Sequence, residues 1–376
     1  MKKKNFRAAL VAPIVIFTVF VLYLVSCTTK DKTNKSDSVE KIVVHVQSQK
    51  QFKLSEISAN SRFLKLDSSI LTGEVSILKT FNENIYIYDD IGKELVCFSM
   101  KDGKHLFTID NYGEGPGEFV HFTNFAINPY LHCLEIVDNQ SKKILRFDMN
   151  DGSFIAEFKI LFNGHYVEPL DGNHYVVFSN HLPGTSHSVL ITDEKYNVVS
   201  EHLPSDTKLA GLALLYPVRM LDGENHRLLS LPFSNEIYSI SSDGGVTLRY
   251  SLDFPGCEPN DNLFDVLNSS GSPFEMVLSQ KTFLDRLGSG KYCWDVECFY
   301  DSEQLTGFQF RLQKKQYWFL HSEKMNRDWV ISQLVSDDGE VFMGKMHCFD
   351  HNRLIASVYN EHTDQLKILI IDLTDF

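Results

Sequence analysis

Short apolar-alternating segments separated by polar turns recur along most of the chain. Two copies match at a constant offset of 49 residues. In each, a strand ends at Asp89 or Asp138, a polar loop follows, a second strand ends at Phe98 or Phe147, and an Asp-Gly pair comes next. An Asp-Gly pair between apolar runs is a strong hairpin signal, because both turn positions favour positive φ. The pattern predicts repeated antiparallel β-hairpins.

Weaker copies of the same module continue to the end of the chain. A period of 40–50 residues with about four strands per unit is typical of a β-propeller. We therefore predict an all-β fold, a six-bladed β-propeller over residues 41–376, closed by pairing of Ile42–Val46 with Leu366–Ile371. The six predicted turns lie near residues 102, 151, 196, 243, 290 and 338.

One stretch departs from the strand rhythm. Over residues 261–287 the apolar positions 274, 277, 278 and 284 fit a short helix better than they fit alternation. We predict a short insertion here, helical over part of its length and lying across one face of the ring.

The amino terminus has the pattern of a secretory signal. A basic segment, Met1–Arg7, precedes the uncharged apolar run Ala8–Val25, and Leu24-Val25-Ser26 leads directly to Cys27. This arrangement resembles a bacterial lipobox, which implies a signal peptide over residues 1–26 and lipidation of Cys27. The polar residues 27–40 then read as a flexible tether. An uncleaved membrane-spanning helix is the alternative, since 18 apolar residues can just cross a bilayer.

Charge limits the partners that the protein can have. The formal net charge is −13, and removing residues 1–26, which carry four cations and no acid, would make it −17. No basic stripe offsets this charge, so nucleic acid is excluded as an expected partner. The six cysteines after Cys27 are scattered and lack metal-site spacing, so the sequence leaves their disulfide state open.

The loop Gly113-Glu-Gly-Pro-Gly-Glu-Phe119 is the most distinctive local motif. It lacks the Gly-Lys-Ser/Thr end of a P-loop and does not lead into a helix. Two interpretations remain. It is either a structural turn, or a ligand-facing loop that presents Glu114 and Glu118.

A search for catalytic and metal-binding patterns assigns no catalytic residue, metal ligand or cofactor. There is no His-Glu-x-x-His and no Gly-x-Ser-x-Gly pattern. His347 and His351 are four residues apart, but a turn separates them. Acids from different blades could converge on Ca²⁺ in a central channel, and Asp89 and Asp138 match in register. The alternative for these two is hydrogen bonding to the loop that follows each strand.

Taken together, three features resemble the six-bladed β-propeller lipoproteins common in Bacteroidetes, within the TolB-like or NHL-like group. They are the lipobox, the glycine-rich loop after the first Asp-Gly hairpin, and Asn235–Ile240 followed by Leu248–Phe254. The resemblance implies a cell-envelope location at the outer membrane. Activity in that family is largely uncharacterised, so it implies no catalytic residue.

The sequence supports two main functional hypotheses, besides that of a purely structural envelope component with no separable ligand. The first is a lipid-anchored envelope propeller that is not an enzyme and binds or scaffolds a protein, peptide or glycan, with its lipid as the membrane contact. The alternative is a propeller hydrolase, lactonase or lyase with a divalent cation in its channel. Converging oxygen ligands in the channel would favour the second.

Overall fold

The computed structural model describes most of the chain after residue 38. The described residues are 39–46, 51–58, 60–67, 70, 75–179, 186–205, 209, 220–222, 227–257, 263–267, 272–359 and 366–374. Within them the strands form six hydrogen-bonded sheets, which we number I to VI along the chain. Residues Glu40–Phe376 belong to one compact unit.

Sheets I, II and III follow the repeat directly, each with four antiparallel strands in chain order. Sheet I consists of β4 (Val75–Phe81), β5 (Asn84–Asp89), β6 (Glu94–Ser99) and β7 (His105–Ile109). Sheet II consists of β8 (Phe122–Asn128), β9 (Cys133–Asp138), β10 (Lys143–Asp148) and β11 (Phe154–Lys159). Sheet III consists of β12 (Tyr166–Pro169), β13 (His174–Phe178), β14 (His187–Asp193) and β15 (Val198–Pro204).

Of the other three sheets, IV and VI include strands from the amino-terminal part of the chain, and sheet V does not. Sheet IV consists of β16 (Met220–Asp222), β17 (Arg227–Ser230), β18 (Glu236–Ile240), β19 (Val246–Asp253) and β1 (Glu40–Val43). Sheet V consists of β20 (Cys293–Asp301), β21 (Leu305–Leu312), β22 (Lys315–Ser322) and β23 (Arg327–Ile331). Sheet VI consists of β2 (Gln51–Lys53), β24 (Gln333–Val335), β25 (Val341–Asp350), β26 (Arg353–Tyr359), β27 (Leu366–Asp372) and β3 (Ser61–Leu64).

The first long strand of each repeat faces the middle of the molecule. β4 contacts both β8 and β25, β8 contacts β12, and β20 contacts both β17 and β25. Apolar side chains fill the spaces between neighbouring sheets, as in the cluster of Leu95, Phe125 and Leu145 between sheets I and II. This radial arrangement is that of a β-propeller, and it confirms the all-β propeller class.

The predicted count of six blades does not describe all of the strand pairing. The first residues of β25 pair with β24, whereas its later residues pair with β26. The short ladder of β2, β24 and the start of β25 is therefore distinct from the ladder of β25, β26, β27 and β3. Counted in this way the strands divide into seven units rather than six.

Of the six turns behind that count, the one predicted near 290 is replaced by the end of a helix, and the one near 338 is present but belongs to the additional short ladder. Asp102-Gly103 and Asp151-Gly152 do join the third and fourth strands of their sheets, and both glycines have positive φ, +72° and +74°. Gly288–Gly290, however, ends a helix, and Asp338-Gly339 joins β24 to β25. The apolar run at residues 330–335 divides at Ser332, between β23 of sheet V and β24 of sheet VI.

The predicted closing pair is wrong. β27 pairs antiparallel with β3, through partners such as Ile368 and Leu64, whereas β1 pairs in parallel with β19. Burial explains this choice. Leu64 is buried beside Ile368 and Ile370 at the boundary with sheet I, whereas three of the four β1 residues are exposed. The alternation of apolar and polar residues over Ile42–Val46 therefore did not predict which strand pairs with β27.

The insertion near 261–287 is helical in part, as predicted. A 3₁₀ turn (Phe264–Val266) precedes the helix Pro273–Ser289, and a shorter helix spans Leu54–Ile57. Ser272 caps the long helix in a capping box with Glu275, and Pro273 stands at its first turn. Within the described ranges, no helix is both long enough and apolar enough to cross a bilayer.

Candidate binding site in the central channel

All six sheets contribute side chains to one cavity at the middle of the propeller. Its volume is about 160 Å³. Most of its wall is apolar or aromatic, and its charged groups come from three different sheets. The lining residues are Ile77, Leu78, Lys79, Thr80, Phe81, Ile127, Pro129, Tyr166, Glu168, Arg227, Phe299, Tyr300, His347, Cys348 and Phe349.

The charged groups form what we call the channel cluster: Lys79 on β4, Glu168 on β12 and Arg227 on β17. The Lys79 ammonium donates to the Glu168 carboxylate in a direct ion pair, and the two side chains are only 17% and 7% exposed. The same ammonium lies 5.3 Å from the ring centre of Phe125 and 5.5 Å from that of Tyr166. These rings add cation–π attraction to the ion pair.

Burial and a second cation act against the charge on Lys79. Burial lowers the pKa of Lys79, the Coulombic attraction of Glu168 opposes that effect, and the nearby charge of Arg227 lowers the pKa further. Arg227 donates through Nη2 to the carbonyl oxygen of Pro169 at 3.1 Å, beside Glu168 on the same strand. The cluster therefore holds two cations and one carboxylate.

β25 contributes His347 and Cys348 to the cavity wall. His347 is 3% exposed, and its Nε2 lies 2.7 Å from Ser357 Oγ. Burial raises the pKa of the Cys348 thiol to about 12, so this group stays protonated and is a poor nucleophile at neutral pH. His351 lies in the exposed turn after β25 with φ of +54°, so the two histidines do not form a pair.

The glycine-rich loop has a clear structural role. Glu118 Oε2 accepts a hydrogen bond from the Gly115 amide at 2.8 Å, so this carboxylate closes its own loop. Lys143 reaches the Gly115 carbonyl and ties the loop to sheet II. Glu114 is exposed. The structure thus gives Glu118 a turn-stabilising contact, and the ligand-facing role of Glu114 and Glu118 stays a prediction.

Asp89 and Asp138 each bind their own following loop. Asp89 Oδ1 accepts from the amides of Ile91 and Gly92, and Asp138 Oδ1 accepts from the amide of Ser141. Asp138 Oδ2 also accepts from the Val120 amide at 2.8 Å. These contacts agree with the alternative in which each aspartate hydrogen-bonds the loop that follows its strand. In the part of the chain that the structure describes, no group of three His, Cys, Asp or Glu side chains is arranged to hold a metal ion.

Sequence reasoning missed a second buried polar cluster, which we call the inter-sheet cluster: Glu135, Arg146, Tyr175 and Tyr196. It joins sheets II and III. Glu135 Oε1 accepts from Arg146 Nε at 2.7 Å, from the Tyr175 hydroxyl at 2.9 Å and from the Tyr196 hydroxyl at 2.8 Å. Burial, then the charge of Glu135, raises the pKa of both phenols, so they remain neutral donors.

The remaining sequence predictions concern the lipidation of Cys27 and the disulfide state of the other cysteines. Cys27 lies outside the described residues, so its lipidation stays a prediction. No disulfide joins any of the six described cysteines, which include Cys293 and Cys298 on β20.

The fold and the site define a β-propeller with a charged cavity on its axis. The chain belongs to the family of the domain of unknown function DUF4934, whose model matches residues 38–368. A comparison with curated proteins found no match.

Two solved structures share the fold. One is a protein of Bacteroides fragilis whose name describes it as exported, with 16% identity and a TM-score of 0.67, covering 89% of this chain and 99% of the other. A member of the DUF4221 family from Bacteroides vulgatus has 9% identity and a TM-score of 0.52, covering 84% of this chain and 96% of the other. At these identities the likeness concerns the fold alone.

Proposed function

We propose that this protein is a lipid-anchored module of the cell envelope that binds a protein, peptide or glycan through its central channel and catalyses no reaction. The observation that carries the proposal is the channel cavity, where Lys79, Glu168 and Arg227 converge from three sheets in a mostly apolar wall. A concave site with few polar groups in an apolar wall is typical of ligand binding.

The envelope location is argued from the amino-terminal pattern. A basic segment, an apolar run and Cys27 together favour lipidation and a place at the outer membrane, in the manner of TolB-like or NHL-like propeller lipoproteins. The similar Bacteroides fragilis protein, named as exported, agrees with this location. Metabolic labelling with a palmitate analogue tests it: the chain takes up label and Cys27→Ser does not. Equal labelling of both would exclude this anchor.

The alternative, a hydrolase, lactonase or lyase with a divalent cation in the channel, has less support. A divalent cation prefers several carboxylate or carbonyl oxygens. The described channel lining offers one carboxylate, Glu168, and places two cations beside it. The positive charges of Lys79 and Arg227 disfavour the binding of a metal cation beside them. A melting temperature that rises with millimolar Ca²⁺ and falls with chelator would favour the alternative.

Co-purification from the native membrane fraction tests the binding proposal. The tagged chain is compared with Thr80→Trp, in which a larger side chain projects into the cavity, and with Val198→Trp on the exposed outer strand β15. We expect the chain and the Val198 variant to retain the same ligand, and the Thr80 variant to lose it. Both variants are first compared with the parent by circular dichroism. Retention of every ligand by a folded Thr80 variant would contradict binding through the channel.

A further inference from the structure

Two cysteines stand at the two ends of the helical insertion. Cys257 comes shortly after β19 of sheet IV, Cys293 begins β20 of sheet V, and residues 258–292 lie between them. The Cys293 amide donates to the Cys257 carbonyl at 3.0 Å. Standard backbone geometry then keeps the two Cα atoms within about 6.5 Å of each other. Disulfide-bonded cysteines have Cα separations of roughly 4.4–6.8 Å, so the backbone already has the spacing that a bridge requires.

Backbone hydrogen bonds on each side hold this spacing. Cys257 ends a tight turn over residues 254–257, whose last amide donates to its first carbonyl at 2.8 Å. Pro255 and Gly256 occupy the central positions, and Gly256 has the positive φ, +77°, that a type II turn needs there. Cys293 pairs with Leu312 at the first position of β20. A bridge can therefore form by side-chain rotation with little movement of the backbone.

The two side chains also share their surroundings. Cys293 is buried in an apolar cluster at sheets IV, V and VI, and Cys257 packs against the same cluster. Burial raises the pKa of Tyr317 on β22, and the charges of the Cys293 and Cys257 sulfurs raise it further. Two sulfurs that act on one phenol are directed to the same region, as a bridge between them requires.

The pair is also the most accessible of the candidate thiols. Cys257 is half-buried, and Cys293 lines a cleft of about 320 Å³ beside the insertion. By contrast, burial raises the pKa of Cys97, Cys133 and Cys348 to about 12, so these three thiols stay protonated at neutral pH. Cys257 is therefore the thiol placed to react first with an oxidant.

We propose that Cys257 and Cys293 form a disulfide that joins the two ends of the insertion. The oxidant is another disulfide, of a small thiol or of a dithiol protein. The Cys257 thiolate attacks one oxidant sulfur and releases the first thiol, and the Cys293 thiolate then attacks the Cys257 sulfur and releases the second. The pair loses two protons and two electrons, and the oxidant takes them up as two thiols.

The bridge would restrain an insertion that covers apolar side chains. Phe283 and Leu287 of the long helix pack in one cluster with Trp294 of β20. A cross-link across residues 258–292 limits the conformations that the insertion can adopt when it opens. The proposal rests on the proposed function only for the envelope location, because an oxidising compartment retains such a bridge.

Peptide mapping of the purified full chain in detergent tests the site. The chain is incubated with oxidised glutathione, the remaining thiols are blocked with iodoacetamide under denaturing conditions, and a non-reducing tryptic digest is analysed by mass spectrometry. We expect peptides 250–281 and 292–311 to appear as a linked pair that lacks two hydrogen atoms. Because peptide 292–311 contains both Cys293 and Cys298, fragment ions and the variant Cys298→Ala decide which of them is bridged.

Matched variants separate this bridge from other oxidation. Cys257→Ser and Cys293→Ala should each lose the linked pair completely, whereas Cys298→Ala should keep it. Cys133→Ala, which removes a buried thiol of sheet II, should also keep it. If Cys293→Ala fails to fold, the variant at the half-buried Cys257 still decides the question. Acid trapping of thiols in the native membrane fraction should find the bridge in most copies before any oxidant is added.

Several results would overturn the proposal. They are linkage through Cys298 instead of Cys293, glutathione adducts without a linked pair, or reduced Cys257 and Cys293 in native membranes. The last result, if the purified chain does form the bridge, would also count against the envelope location. Failure of the purified chain to form it would leave the binding proposal in place. That proposal fails separately if Thr80→Trp retains every ligand captured from membranes.

Discussion

The channel cluster and the inter-sheet cluster both place an arginine and a glutamate between sheets, but they differ in charge balance. In the inter-sheet cluster one cation meets one carboxylate, and two neutral phenols complete the hydrogen bonds to Glu135 Oε1. In the channel cluster two cations meet one carboxylate beside a cavity. Burial of charge alone therefore does not identify a binding site in this protein. What distinguishes the channel cluster is the cavity that its charged side chains border.

The largest expected effect comes from breaking the inter-sheet cluster. Arg146→Met should lower the free energy of unfolding by about 3–5 kcal/mol, because it leaves the fully buried Glu135 without its cation. Urea denaturation followed by tryptophan fluorescence measures the change.

The double variant Glu135→Leu/Arg146→Met is the matched control. It removes both charges, so it should recover much of the stability that the single variant loses. A double variant as unstable as Arg146→Met would show that side-chain packing, rather than the uncompensated charge, dominates at this boundary.

The boundary between sheets II and III also contains a titratable group that tests how strongly it excludes charge. Burial, then the charge of His121, lowers the pKa of His165 to about 4. As pH falls below the ordinary value near 6.5, the unfolded chain takes up this proton before the folded chain does. Stability is therefore present above about pH 6.5 and is lost between pH 6.5 and 4.

His165→Gln should remove about 2 kcal/mol of that loss, after allowance for the partial exposure of the ring. Unfolding free energies at pH 7 and pH 4.5 measure it. Parallel pH curves for His165→Gln and the parent would show that His165 is not held neutral.

The sequence was more informative about the fold than about the site. Asp-Gly turns and a 49-residue offset are local signals, and they were enough to predict repeated hairpins and the propeller class. Blade counting failed where a strand divided at Ser332 and where a helix stood in place of the turn near 290. The prediction of the closing strand pair failed because the burial of Leu64 determines which strand pairs with β27. That burial depends on neighbours that are distant in sequence.

The channel cluster was missed because its members lie on separate strands. Lys79 and Glu168 are 89 residues apart, and each stands inside an ordinary short strand. The available signal was a charged residue on the first strand of a repeat, since those strands face the axis. The strand-end acids Asp89 and Asp138, which the repeat places in register, bind their own loops and do not line the cavity wall as described.

Removing the lysine of the channel cluster should cost less than removing Arg146. Lys79→Met should lower the free energy of unfolding by about 1–2 kcal/mol, because Glu168 keeps Arg227 as a neighbouring cation and both border a cavity. The same urea denaturation measures it. A loss as large as that of Arg146→Met would mean that the channel cluster is a closed structural network like the other one, and the binding proposal would weaken accordingly.

The smallest effect is expected at an exposed ion pair, which separates pairing from burial. Lys41 Nζ lies 2.7 Å from Asp253 Oδ2 across the parallel pairing of β1 with β19, and the two side chains are 62% and 26% exposed. Lys41→Gln should change the free energy of unfolding by less than about 0.5 kcal/mol, since water and salt screen such a pair. Its N···O distance equals that between Arg146 and Glu135. If Lys41→Gln lowered the free energy of unfolding as much as Arg146→Met, an exposed ion pair would matter as much as a buried one. Burial would then not explain the large effect expected at Arg146.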